Sequence, residues 1–155
     1  VQPLWSAVTE AHGKNDLAWI KKSVKRLLQA WLVIILALLI MLLMSPIIYS
    51  FWLADQIEIP MILSVMWALF IGVQSLNMIF VQVVNGIGKV RLQMIIAVGG
   101  AIINVPLSIF LARSVGMGVS GVIAATLSTQ LIAIVFTGIQ YRKLVTGTLT
   151  GIWNK

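Results

Sequence analysis

Amide side chains recur in an uncharged stretch of the chain, and their spacing places them on one side of a helix. At 100° per residue, Gln74, Asn77, Gln82 and Asn85 fall within an arc of about 140°. An amide both donates and accepts hydrogen bonds, so its chemistry is recognition of other hydrogen-bonding groups. In hydrocarbon, such a stripe must face other helices or a water-filled cavity. Two interpretations stay open: hydrogen bonds between helices, or the wall of a polar cavity that contacts sugar hydroxyls.

The chain lacks the residues that most catalytic and metal sites need. It has no cysteine and a single histidine, His12, which argues against thiolate chemistry, a histidine-rich metal site and a conventional catalytic triad. Its four acidic residues all lie outside the long apolar stretches, two on each side of the first one. Paired-carboxylate hydrolysis is therefore unsupported, and we predict neither an enzyme nor a bound metal or cofactor.

The composition indicates a membrane protein. Of the 155 residues, 60% are hydrophobic and 10% are charged, whereas about 25% are charged in an average soluble domain. Residues 27–54, 59–88, 92–112 and 114–141 carry no charge. Each stretch exceeds the roughly 18 residues that mark a candidate membrane span. We predict an all-α polytopic membrane helix bundle whose four spans lie near the following residues: 30–49, 61–84, 92–111 and 119–139.

The basic residues predict the orientation of the spans. Arg113 falls on one side of the predicted membrane, together with Asp55 and Glu58. The other ten basic residues fall on the opposite side: Lys14, Lys21, Lys22, Lys25, Arg26, Lys89, Arg91, Arg142, Lys143 and Lys155. The positive-inside rule makes that side cytoplasmic, so both ends of the chain are expected inside. The basic residues form no single face with interleaved aromatics, which argues against nucleic-acid binding.

The regions outside the spans divide into three parts. Residues 1–29 are interpreted as the end of a preceding helix followed by a cytoplasmic segment, and residues 146–155 as a cytoplasmic tail. At the end of the first region and into the first span, residues 16–31 place apolar residues at helical spacing opposite lysines. We predict an amphipathic helix there that starts at Asn15 or Asp16 and rests at the level of the lipid headgroups. Because the chain begins with Val1, we expect it to be part of a longer protein or a truncated reading frame.

Three blocks of sequence resemble a known transporter family. They read PLWSAVTEAHGKND at 3–16, NGIGKVRLQMII at 85–96, and NVPLSIFLARSVGMGVSGVIAATLSTQ at 104–130. The chain resembles, over nearly its whole length, the flippases that export O-antigen and capsule polysaccharide repeat units. These belong to a superfamily that also contains multidrug extruders and lipid II flippases. The first block is the most specific of the three.

The resemblance implies a fold, a substrate and a location. Such transporters have two pseudo-symmetric lobes around a central cavity and work by alternating access in the bacterial inner membrane. The chain would supply the last helices of the second lobe, and its partners would be the bilayer and the missing N-terminal lobe. The implied substrate is a lipid-linked oligosaccharide whose sugars cross through the cavity while its lipid stays in the bilayer.

The same resemblance implies candidate site residues. Candidates for hydrogen bonds to the sugar in the cavity are Gln74, Asn77, Gln82, Asn85 and Asn104. Lys89 and Arg91 are candidates for binding a diphosphate at the inner opening of the cavity, with a role in topology as the alternative. Two alternative functions stay open: another exporter of the superfamily, for a drug or a lipid-linked precursor, or a non-transporting truncated membrane subunit.

Overall fold

Helices occupy every long uncharged stretch of the sequence. The computed structural model describes residues 4–53 and 59–154, and within these ranges all regular elements are helical. Four of the helices are long and apolar enough to cross a membrane, which confirms the predicted all-α membrane helix bundle. Asp55, Glu58 and Lys155, which entered the prediction of orientation, lie outside the described residues.

Five α-helices form the bundle, and two short elements extend it. The α-helices are α1 (Leu4–Gly13), α2 (Leu17–Leu53), α3 (Met61–Gly86), α4 (Arg91–Ile109) and α5 (Gly118–Val145). A π-helical turn, Phe110–Ser114, continues α4, and a 3₁₀ turn, Gly151–Asn154, follows α5. Pro60 immediately precedes α3, where a proline sacrifices no internal hydrogen bond.

Helix α2 begins earlier than the predicted span. The Asp16 carboxylate accepts a hydrogen bond from the backbone N–H of Trp19 (2.9 Å) and so caps the helix, as the sequence predicts. From Leu17 the helix continues for 37 residues without a break. Residues 16–31 and the predicted span 30–49 are therefore one rod, which at 1.5 Å per residue is about 55 Å long.

The apolar face of residues 16–31 packs on other helices of the chain. Ile20 and Val24 are 0% and 2% exposed. They belong to one apolar cluster with Val8 of α1, Val83 of α3 and Leu144 of α5. These contacts join residues far apart in sequence, so periodicity alone does not reveal them. We call this group the apolar cluster.

The apolar cluster also fixes which helix ends lie together. It joins the start of α2 to the last turns of α3 and α5, so these ends share one side of the bundle. All basic residues in the described ranges other than Arg113 lie at or near these ends: Lys14, Lys21, Lys22, Lys25, Arg26, Lys89, Arg91, Arg142 and Lys143. Arg113 lies in the π turn at the far end of α4. We call the first side the basic end.

Two glycines permit close approaches between backbones. A Cβ on Gly86 would lie 2.6 Å from Cβ of Val8 and 2.7 Å from the carbonyl oxygen of Trp5. This contact holds α1 against the end of α3, where the Thr9 hydroxyl donates to the Gly86 carbonyl (2.6 Å). A Cβ on Gly121 would lie 2.7 Å from the backbone of Leu111, so α5 can pack directly on the π turn.

Candidate functional site

Helices α3, α4 and α5 line an open cavity of about 450 Å³. Seven of its lining residues carry an amide or a hydroxyl: Asn77, Gln93, Asn104, Thr126, Thr129, Gln130 and Thr137. The remaining lining residues are small or apolar: Val81, Ile96, Ala97, Gly100, Ala101, Val105 and Ala133. The lining within the described chain thus carries no charge, and we call this space the amide cavity.

Helical periodicity explains how the sequence builds the amide cavity. On α4, Gln93, Ala97, Gly100 and Asn104 recur at intervals of four, three and four residues, which places them on one face. On α5, one face carries another set: Thr126, Thr129, Gln130, Ala133 and Thr137. Both faces combine small residues with polar ones. The two faces are close at Gly100, where a Cβ would lie 3.9 Å from Cβ of Thr129.

Asn104 is hydrogen-bonded across the amide cavity through long contacts. Its amide Nδ2 lies 3.3 Å from the Thr126 hydroxyl and 3.5 Å from the Thr129 hydroxyl. The Ser108 hydroxyl, one turn further on α4, donates to Oδ1 of Asn104 at 3.3 Å. All three distances exceed the usual 2.7–3.2 Å, so these bonds are weak and the groups are available for exchange with a ligand.

Asn77 is more firmly held, on the side of the cavity nearer the basic end. The Thr137 hydroxyl donates to Oδ1 of Asn77 at 2.7 Å, and both residues are buried. On its other side, Nδ2 of Asn77 lies 3.4 Å from Oε1 of Gln130. Asn77 therefore links α3 to α5 through one short and one long hydrogen bond.

Gln93 brings an unused donor to the amide cavity. Its Nε2 is buried and has no hydrogen-bond partner among the described residues. A buried polar group without a partner costs about 1–3 kcal/mol, so a ligand or water that accepts from this nitrogen would recover that free energy. Gln93 is thus the lining residue whose donor is most clearly free for a ligand.

The structure separates the candidate residues that the sequence grouped together. Asn77 and Asn104 line the amide cavity, whereas Gln74, Gln82 and Asn85 do not. Gln82 lies about 140° around the helix from Asn77, too far for both side chains to enter one cavity. Gln74 is half-buried, and its Oε1 is buried without a partner in the described chain. The stripe on α3 is therefore not one continuous cavity wall.

Five polar lining residues were not predicted from the sequence: Gln93, Thr126, Thr129, Gln130 and Thr137. Threonine is common in membrane helices as a packing residue, so its presence alone carries little information. The informative signal is the coincidence of Gln130 with three threonines on one face of α5, opposite Asn104 and Gln93 on α4. A comparison of the polar faces of α4 and α5 in the sequence would have identified these five residues.

Lys89 and Arg91 lie outside the lining of the amide cavity. The Lys89 ammonium donates to the carbonyl oxygen of Asn154 (2.9 Å), and its own carbonyl accepts from Nε2 of Gln140 (3.0 Å). Lys89 thus holds the end of the described chain in place. Arg91 is exposed at the start of α4.

A second cavity, of about 340 Å³, lies between α2 and α3 at the opposite end of the bundle. Its lining is mostly aliphatic, and its hydroxyls come from Ser45, Tyr49 and Ser64. The Tyr49 and Ser64 hydroxyls are 3.0 Å apart, and the Ser45 hydroxyl donates to the carbonyl of Leu42 (2.8 Å). We call it the apolar cavity, and within it each hydroxyl already has a partner.

Chemistry by a metal or by clustered carboxylates has no support in the described ranges. Residues 4–53 and 59–154 contain no group of three His, Cys, Asp or Glu side chains that could hold a metal ion. The polar groups of the amide cavity therefore offer hydrogen bonds and no charge. Comparison of the chain with known protein families, with curated proteins and with solved structures finds no match.

Proposed function

We propose that the chain is the C-terminal portion of a flippase that moves lipid-linked oligosaccharides across the bacterial inner membrane by alternating access. The observation that carries this proposal is the amide cavity, lined by seven uncharged hydrogen-bonding side chains within helices apolar enough to cross a membrane. The resemblance of residues 3–16, 85–96 and 104–130 to the polysaccharide-repeat flippases supports it.

The chemistry of the lining suits a sugar. Each sugar hydroxyl donates and accepts a hydrogen bond, and so do the amides of Asn77, Gln93 and Asn104 and the threonine hydroxyls. A lining without charge favours neutral polyols over ions. The volume of about 450 Å³ falls within the roughly 300–1,000 Å³ usual for small-molecule sites. The long hydrogen bonds of Asn104 can be exchanged for bonds to a passing hydroxyl at little cost.

The arrangement of charge and apolar surface supports the same proposal. By the positive-inside rule the basic end would face the cytoplasm, and the amide cavity lies among helices that are apolar enough to cross the bilayer. The apolar surface of the helices leaves the lipid portion of the substrate in the bilayer while the sugars cross. The first lobe of the transporter would be the partner that completes the central cavity.

Export of surface glycan in cells that depend on the complete protein tests the proposal. We expect Asn104→Leu and Thr129→Val to lower export about tenfold at unchanged protein level, because both remove hydrogen-bonding groups from the lining. Ser128→Ala is the matched control, since Ser128 is exposed on another face of α5 and bonds only within its helix. Unchanged export in the first two variants would overturn the assignment.

The same variants separate the alternatives. If they lower resistance to a drug and leave glycan export unchanged, the chain belongs to another exporter of the superfamily. If the complete protein supports neither activity, the alternative of a non-transporting membrane subunit is favoured.

A further inference from the structure

The 3₁₀ turn Gly151–Asn154, which we call the strap, folds back onto the basic end of the bundle. The Asn154 carbonyl accepts a hydrogen bond from the Lys89 ammonium at 2.9 Å. The Trp153 carbonyl accepts from Nε2 of Gln140 at 3.2 Å. The indole of Trp153 stacks on the ring of Phe136, with 6.2 Å between centroids and 22° between planes.

A fourth contact involves the same indole. The Lys143 ammonium lies 4.8 Å from the centre of the Trp153 ring, within the range of a cation–π interaction. Trp153 is thus held by two residues of α5, Phe136 and Lys143, which lie two turns apart. Four separate contacts fix a turn of only four residues, so its position is specific.

The strap lies directly beyond one end of the amide cavity. Thr137 is a lining residue, and Gln140 follows it by three residues on the same face of α5. Gln140 is 0% exposed, and its Nε2 bridges the carbonyl of Lys89 (3.0 Å) and the carbonyl of Trp153. The strap, the α3–α4 loop and α5 therefore meet at one buried amide, where the lining ends.

We propose that the strap is a gate that closes the amide cavity at the basic end. The hydrogen bond from Gln140 holds the strap closed, and the Trp153 indole blocks the opening. In this arrangement water and solutes reach the cavity from the basic end only after the strap has moved away. The proposal concerns access to the cavity, and it holds for any cargo.

Two features of the closed arrangement favour reversible opening. Oε1 of Gln140 and Nε2 of Gln93 are both buried without a partner among the described residues, and opening would let water bond to each. The connection from α5 to the strap contains Gly147 and Gly151 with φ of 69° and 57°, a conformation in which glycine is unstrained. The strap can therefore pivot on this connection while α5 stays helical.

Cysteine labelling can test the gate because residues 1–155 contain no cysteine, and any cysteine elsewhere in the complete protein is first replaced by serine. Ala133 lines the amide cavity, so Ala133→Cys places a thiol inside it. In the complete protein, purified in detergent, we expect a charged, water-soluble maleimide to label this thiol slowly. Adding Trp153→Ala should increase the labelling rate about tenfold, because the indole and its contacts with Phe136 and Lys143 are removed.

Three controls make the result decisive. Ile152→Ala changes an exposed neighbour in the strap and should leave the rate within twofold. Thr146→Cys, an exposed site outside the cavity, should react at one rate with either residue at 153. Lys89→Met removes the bond to Asn154 without touching Trp153, and we expect an increase in labelling of several-fold.

The outcomes distinguish the gate from the proposed function. Rapid labelling of the cavity thiol with the strap intact, or an unchanged rate in both Trp153→Ala and Lys89→Met, overturns the gate. An increase in both variants supports it, whether or not glycan export depends on the cavity. Failure of the sugar assignment would come instead from the lining variants and would leave the labelling rates unaffected.

Discussion

The amide cavity and the apolar cavity share α3 but differ in how their polar groups are satisfied. In the apolar cavity, the hydroxyls of Ser45, Tyr49 and Ser64 all have partners within hydrogen-bond range. In the amide cavity, Asn104 makes only long contacts, and Nε2 of Gln93 has no partner in the described chain. The volumes, about 340 and 450 Å³, are similar. Unused hydrogen-bonding capacity, and not size, therefore distinguishes the candidate binding site from a packing space.

Filling each cavity with a bulky side chain should give the largest contrast. Gly100→Leu places an apolar side chain against Thr129 in the amide cavity, and we expect glycan export to fall more than tenfold. Ala68→Leu fills the apolar cavity and should leave export within twofold. Surface glycan and membrane protein level are measured together, and equal loss in the two variants would remove the distinction between the cavities.

Removing the unused donor should separate function from stability. Gln93→Leu eliminates a buried nitrogen without a partner, so we expect the free energy of unfolding to rise by up to about 1 kcal/mol. Export should nevertheless fall several-fold, because a bond to the cargo is lost. Thermal unfolding in detergent and the export assay measure the two effects, and a parallel fall in both would mean that Gln93 only supports packing.

Removing a satisfied hydroxyl should have the opposite pattern. Tyr49→Phe breaks the contact with Ser64 in the apolar cavity, and we expect a loss of about 0.6 kcal/mol, the average for a side-chain hydrogen bond between membrane helices. Export should stay at the level of the unmodified protein. A marked fall in export at normal stability would show that the apolar cavity also contributes to transport.

The smallest effect on stability is expected at the exposed pair of Glu10 and Lys14, which lies outside the amide cavity and the apolar cavity. Their hydrogen bond of 2.6 Å lowers the pKa of Glu10, but both side chains are fully in water. A carboxyl group whose pKa is lowered in the folded state stabilises the fold at pH values above its unfolded-state pKa. This stabilisation is lost as the pH falls through the folded-state pKa. Because water screens the pair, Glu10→Gln should leave the unfolding temperature at pH 7 unchanged within error.

The sequence predicted the membrane helices well because each is encoded locally. The uncharged stretches gave 61–84 and 92–111, and the structure has Met61–Gly86 and Arg91–Ile109. Residues 16–31 were predicted as an amphipathic segment leading into the first span, and the structure joins them to it in one helix that starts at Leu17. Their apolar face is covered by α1, α3 and α5, and such distant contacts leave no local signal.

The candidate site was only partly predictable for the same reason. Asn77 and Asn104 were found from polarity, but the arc of α3 that faces α4 and α5 depends on how the three helices pack. Gln82 and Gln93 are both glutamines in apolar surroundings, and only packing puts Gln93 in the amide cavity and leaves Gln82 outside it. The partner of Lys89, the Asn154 carbonyl, lies 65 residues away, beyond the reach of spacing arguments.

The length of α2 has a mechanical consequence. Between Leu17 and Ser45 the helix contains neither proline nor glycine, so this part behaves as a stiff rod of about 43 Å. Because the rod has this length, a tilt of roughly 10° about one end would move the other end by about 7 Å. Since the apolar cluster holds the start of this rod against α1, α3 and α5, rocking of α2 would pivot at the basic end and displace its far end, beside the apolar cavity.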